Sequence, residues 1–276
     1  MKKKNYIAFL LFALIGVCSK ASQQQQDPVP LHETFNIISK QVGETRTINV
    51  WLPLAYTSST DSLPVLYMAD GGIKEDFPHM ANTLAELIER KAIAPMILVG
   101  IENTQRRRDL TGFTSVAEDK KIAPVVGGSA NFRSFIKEEL FAAISKKYRV
   151  SSKSGIIGES LAGLFVVETL LTQPDMFDTY IAFDPSLWWN DHFLVRTAKG
   201  QLSKLPRTEK YFWFAGSGTK DIYVYTNQLE QILKKSASKT LKWIYSAEPE
   251  EQHQTIFRAT KEKALVWAFR LNNILK

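Results

Sequence analysis

The run Gly155-Ile156-Ile157-Gly158-Glu159-Ser160-Leu161-Ala162-Gly163, continued by the apolar stretch Leu164 to Leu171, decides how this chain folds. A short β-rich run enters a turn bounded by small residues, with Ser160 at its apex. The apolar stretch that follows has the length of a buried helix, and Pro174 stands just beyond its end. A serine on such a strand-to-helix turn projects its hydroxyl above the sheet, beside N–H groups at the helix start that can receive an oxyanion. Small residues are required two before and two or three after the serine, because the two backbones nearly touch there. Gly158, Ala162 and Gly163 occupy those places, so alanine stands where a second glycine is usual. The plainer alternative is a glycine-rich turn whose serine only caps the helix.

Working outward, Thr34 to Lys40 and Thr45 to Leu52 are β-rich and flank Gln41-Val42-Gly43-Glu44, which reads as a hairpin. Leu63 to Ala69 and Ala94 to Ile101 are uniformly apolar, as strands covered on both faces are. Between them lie Asp70-Gly71-Gly72 and a helical pattern at Phe77, Met80, Leu84, Leu87 and Ile88. Glu102 to Ser129 shows no sustained period and reads as a long surface loop. A helix from Phe132 to Ile144 precedes the serine strand. After the serine helix come strands at Thr179 to Phe183, Lys210 to Ala215 and Leu241 to Ala247, and helices from about Tyr225 to Lys235 and Thr255 to Leu275. Strands alternating with helices after an initial hairpin give an α/β fold, a mostly parallel sheet with helices on both faces. Ligands bind beyond the carboxyl ends of such strands, where Ser160 falls.

A serine hydroxyl needs a base, and the chain holds four histidines. His32 lies at the edge of a polar segment, His192 in a solvated stretch that starts a helix, and His79 beside the Asp70-Gly71-Gly72 turn. His253 sits in the loop between the last strand and the last helix, and is the expected base. A carboxylate must then hold the imidazole. The chain order serine, acid, histidine points to Asp221, in Gly216-Ser217-Gly218-Thr219-Lys220-Asp221; Asp184 is the rival, and Glu230 falls on a helix too far away. Two backbone N–H groups complete the constellation: those of Leu161 and, from the turn after the third strand, Gly72 in preference to Gly71.

Residues 1–21 read as an export signal: Lys2 to Lys4, the apolar run Tyr6 to Val17, then Ser19-Lys20-Ala21 placed for cleavage. A lipid anchor at Cys18 is the alternative, with Val17 bulkier than the residue usual before a lipidated cysteine. The apolar run is too short for a comfortable bilayer span, so no stable membrane insertion is expected after cleavage. Removing the signal takes four of the 35 basic residues and none of the 28 acidic ones, leaving 31 against 28 and a net charge of +3. That balance offers nucleic acid little. Cys18 is the single cysteine, so cleavage also excludes disulfides, a cysteine nucleophile and thiolate metal sites. Residues 22–30 form a polar tether, and residues 31–276 one domain.

Several separated stretches together resemble the putative-esterase family of α/β-hydrolases. They are Val65-Leu66-Tyr67-Met68-Ala69-Asp70-Gly71-Gly72, Leu98 to Asn103 with Arg106 to Thr111, Gly158 to Gly163, and Asp184-Pro185-Ser186-Leu187-Trp188-Trp189. The resemblance is strongest to the siderophore-esterase branch. It implies an α/β-hydrolase fold and a small-molecule carboxylic ester as partner, cleaved through an acyl-enzyme without metal or organic cofactor. It assigns Ser160 as nucleophile, His253 as base, Asp221 as acid, and Leu161 with Gly72 as oxyanion donors. Asp184 stands where relatives often carry serine, which leaves the acid open. Arg106, Arg107 and Arg108 with Trp188 and Trp189 are expected to bind substrate, pairing with the charge and stacking on the rings of an anionic catecholate ester. A feruloyl or acetyl esterase of carbohydrates, an acyltransferase, and a non-catalytic binding protein on the same scaffold are the alternatives.

Overall fold

The structure is a computed structural model describing residues 27–270, so residues 1–21, expected as an export signal, most of the expected tether and the last residues lie outside it. Its centre is an eight-stranded sheet in the order β1-β2-β4-β3-β5-β6-β7-β8. The strands are β1 (Glu33–Ile38), β2 (Thr45–Trp51), β3 (Leu63–Met68), β4 (Ile97–Ile101), β5 (Val150–Glu159), β6 (Thr179–Phe183), β7 (Lys210–Ser217) and β8 (Leu241–Glu248). The hairpin β1-β2 and the pair β2-β4 are antiparallel, and every other pairing is parallel. The carboxyl ends of β3 to β8 therefore all open on one edge, and the site is built there.

The period-two geometry of each strand sends alternate residues to two separate cores. Leu66, Met68, Leu98, Ile157, Ile181, Phe183 and Trp213 pack with α2 (Phe77–Glu89) and α10 (Ile256–Phe269). Val65, Tyr67, Val99, Ile156, Tyr180, Phe212 and Phe214 face the helices of the other side, among them α7 (Leu161–Thr172), α8 (Trp189–Leu202) and α9 (Lys220–Ser236). Because α7 is wedged between sheet and helices, it is apolar on nearly every side, Glu168 being its one charged residue, paired with Arg133. The other elements are α1 (Leu54–Ser58), α3 (Arg106–Leu110), α4 (Ala117–Ile122), and α5 (Ser129–Ser134), which passes through a π-helical turn, Phe135–Leu140, into α6 (Phe141–Lys147).

Two differences from the sequence expectations bear on the site. The segment expected as a bare loop, Glu102 to Ser129, carries α3 and α4. Helix α9 begins at Lys220 rather than Tyr225, which draws Asp221 into its first turn. Before β1, residues 27–30 take no regular structure, but Asp27 bonds His79 at 3.0 Å and Arg258 at 2.9 Å, in the first turns of α2 and α10.

Candidate active site

The serine turn is enforced sterically. A Cβ on Gly158 would lie 2.6 Å from the Ala162 carbonyl carbon, and one on Gly163 would lie 2.9 Å from the Phe183 oxygen. Ala162 itself is buried without obstructing the turn. Ser160 has φ 59° and ψ −119°, a region that costs an ordinary residue of order 1–3 kcal/mol and is held only by surrounding contacts. Those contacts are the bonds Ser160 N–H to Phe183 O at 2.9 Å and Ser186 N–H to Ser160 O at 3.1 Å. The turn lifts the hydroxyl over the sheet and leaves the first N–H groups of α7, beginning with Leu161, without acceptors inside the helix.

His253 reaches this hydroxyl from the loop after β8. Its Nε2 lies 3.1 Å from Ser160 Oγ, and its Nδ1 lies 3.0 Å from Asp184 Oδ2. A carboxylate only accepts, so Nδ1 carries the proton, and Nε2 is the acceptor for the serine hydroxyl. The loop is tied to the end of β7 by Gly218 N–H donating to Glu251 O at 3.0 Å. The Asp184 hydrogen bond, opposed by burial, raises the His253 pKa above its ordinary 6.5.

The carboxylate partner is thus Asp184, not Asp221. Asp184 leaves the end of β6, the strand beside the serine strand, with φ 40°, and is fully buried. Ser217, at the end of β7, donates to it twice: its N–H to Oδ1 at 2.6 Å and its hydroxyl to Oδ2 at 2.7 Å. Asp221 is exposed in the first turn of α9, where the helix N-terminus favours an acid, and makes no bond to the ring. Chain order could not separate the two, because β6 and β7 are neighbours ending on the same edge. Ser217 and Ser186, whose Oγ lies 3.5 Å from that of Ser160, were not foreseen; the only signal was that each follows or ends a parallel strand.

The turn after β3 also departs from expectation. Gly72 N–H donates to Glu75 Oε2 at 2.7 Å, so the expected second oxyanion donor is already engaged. Burial raises the Glu75 pKa, against the lowering effect of this bond and of Asn103.

Four of the five residues expected to meet substrate are otherwise occupied. Arg106 grips Asp70 with Nε at 2.5 Å and Nη2 at 2.8 Å. Arg107 donates to the Ile122 carbonyl, and Arg108 bonds Glu44 at 2.8 Å and Asp109 at 2.7 Å. Trp189 is buried and donates to Gly112 O at 3.2 Å. Only Trp188 lines the cleft of about 510 Å³ that contains Ser160, Ser186, His253, Tyr225 and Asp221. A second, mostly apolar cavity of about 450 Å³, walled by Phe113, Trp189 and Phe193, does not include the serine. Among the described residues no group of three or more His, Cys, Asp or Glu could hold a metal ion, and no helix is long and apolar enough to cross a membrane.

A parallel sheet with a serine elbow after β5 and an imidazole after β8 defines the α/β-hydrolase fold. Residues 39–275 match the family described as "Putative esterase", and the chain belongs to that family. It is 32% identical over 175 residues to the ferri-bacillibactin esterase BesA of Bacillus subtilis, covering 56% of this chain and 58% of that protein. It is 30% identical over 192 residues to a siderophore triacetylfusarinine C esterase of Aspergillus fumigatus, covering 62% and 61%. The chain thus spans about three-fifths of the length of these curated relatives. Among solved structures, an IroE-like serine hydrolase from Shewanella oneidensis superposes with a TM-score of 0.79 at 26% identity, over 86% of this chain and 79% of that one.

Proposed function

We propose that this chain is a serine hydrolase that cleaves a carboxylic ester through an acyl-enzyme. The observation that carries the reading is the His253 ring bridging Ser160 Oγ and a buried, doubly bonded Asp184. In the reaction, His253 Nε2 takes the Ser160 proton as Oγ attacks the ester carbonyl. The tetrahedral oxyanion is held by Leu161 N–H. The imidazolium, steadied by Asp184, returns its proton to the departing alcohol. Water, deprotonated by the same ring, then frees the acid and restores Ser160.

The similarity to a ferri-bacillibactin esterase and a triacetylfusarinine C esterase supports a siderophore ester as substrate. Residues 1–21 support an exported protein, acting in the periplasm or outside the cell. Reaction with a fluorophosphonate, with and without Ser160→Ala, tests the core of this reading. Labelling of Ser160 with turnover of phenyl acetate, both lost in Ser160→Ala, is the expected result. Turnover by Ser160→Ala at the wild-type rate would refute it, and binding of the ester without labelling would make the chain a binding protein.

A further inference from the structure

Two of the three charges expected to welcome an anionic ester are held by carboxylates. Arg106 is neutralised by the Asp70 carboxylate in a two-pronged pair, and Arg108 by Glu44 and Asp109. Arg107 has no carboxylate partner among the described residues; it lies on the surface outside the cleft lining and donates to the carbonyl of Ile122, a residue of that lining. What remains around the Ser160 hydroxyl is a cleft without lysine or arginine in its lining and with one free carboxylate, Asp221, at its mouth. Asp184 adds a second negative charge beneath the imidazole. Glu159, beside the serine and with its pKa pushed up to about 7 by burial, adds a fractional third near neutrality.

Two aromatic faces accompany Asp221 in that lining, those of Trp188 and Tyr225. Both rings are held in place. Tyr225 stacks on His192 with centroids 5.1 Å apart and planes at 19°, and Trp188 leans on Trp189 at 5.9 Å, itself bonded to Gly112. Pre-positioned aromatic rings lining a cleft together with an unpaired carboxylate are the chemistry that holds an ammonium group.

We propose that Trp188, Tyr225 and Asp221 form a specificity subsite of the Ser160 cleft that selects esters bearing a cationic group, and that the cleft disfavours anionic ones. The inference rests on the ester-hydrolase reading and adds the substrate's charge to it. It is compatible with a siderophore ester of neutral or positive charge, and it opposes the anionic catecholate that the arginine run suggested.

Three acetate esters that differ in charge test it: those of choline, of its uncharged isostere 3,3-dimethylbutanol, and of 2-hydroxyethanesulfonate. The expected kcat/KM falls in that order, with choline ahead of the isostere by about five- to tenfold at low ionic strength. Asp221→Asn and Trp188→Leu should each bring the choline-to-isostere ratio down by threefold or more, about what an exposed cation contact supplies. The ratio is internal to each variant, so a general loss of activity does not mimic the effect. A wild-type ratio of one or less, or preference for the sulfonate, overturns the subsite. Phenyl acetate hydrolysed with none of the three turned over overturns it as well. Failure on phenyl acetate together with absence of fluorophosphonate labelling instead overturns the ester-hydrolase reading on which it stands.

Discussion

Two aspartates in this molecule leave parallel strands by the same backbone device and end in opposite employment. Asp70 after β3 and Asp184 after β6 both turn into the left-handed region, with φ of 56° and 40°, which aspartate tolerates better than most residues. Asp70 then meets a permanent cation, Arg106, and the Asn103 amide at 2.6 Å. Asp184 meets a titratable ring and the neutral donors of Ser217. A carboxylate facing a guanidinium is a fixed tie between segments. One facing an imidazole can steady a charge that comes and goes. The partner, rather than the turn, separates architecture from chemistry.

The largest expected effect follows from exchanging the chemical member of this pair. Asp184→Asn should lower kcat on phenyl acetate by about 10³- to 10⁴-fold, because an amide no longer enforces the tautomer or balances the imidazolium. Asp221→Asn should cost less than about tenfold on the same ester, since no bond links it to the ring. Steady-state rates of the two variants side by side decide the assignment; equal losses would return Asp221 to the triad. The wild-type kcat/KM should also lose activity on the acid side with a midpoint above 6.5, because His253 must be neutral to act and Asp184 raises its pKa. In Asp184→Asn that midpoint should move down. For stability the sign is opposite to that of activity. The folded protein holds this proton more tightly than the unfolded chain, so the contribution is whole below 6.5 and is lost as pH rises through the folded value.

The architectural member should respond in stability rather than in rate. Asp70→Asn leaves Arg106, about one-third exposed, without its carboxylate, and should cost about 2 kcal/mol in urea unfolding, with kcat reduced less than tenfold. A drop in kcat comparable to that of Asp184→Asn, with unfolding unchanged, would erase the distinction between the two turns.

The sequence made some of this legible and hid the rest for identifiable reasons. Uniformly apolar strands and the almost wholly apolar α7 were visible as composition, because burial on nearly every side leaves little polar face to disguise them. Ser160 and His253 were found because each is bound to a local signal, a small-residue turn and the loop after the last strand. Asp184 and the arginines depended on distant partners. Arg106 pairs with Asp70 36 positions away, and Arg108 with Glu44 64 positions away, so two members of a basic run that looked available in isolation were already paired. The early start of α9 shifted Asp221 onto a helix by a few residues, the part of a helix that periodicity defines least.

Glu159 is a third carboxylate on the same edge of the sheet, with neither the guanidinium-to-carboxylate bonds of Asp70 nor the ring bond of Asp184, and it should give the smallest effect. Burial pushes its pKa from 4.5 up to about 7, His253 lowering it and Asp76, Asp184 and Asp70 raising it. The folded state therefore binds this proton more tightly than the unfolded chain, and stability is surrendered as pH rises from 4.5 to about 7. Glu159→Gln removes the ionisation. It should leave unfolding free energy nearly unchanged at the acid end of that window and raise it by about 1 kcal/mol at the alkaline end, the full shift being discounted because the group is partly exposed. Urea titrations of both proteins across the window measure the difference. A stabilisation equal at both ends would trace the gain to packing, and a loss at the alkaline end would mean that Glu159, like Asp70, has a cation to hold.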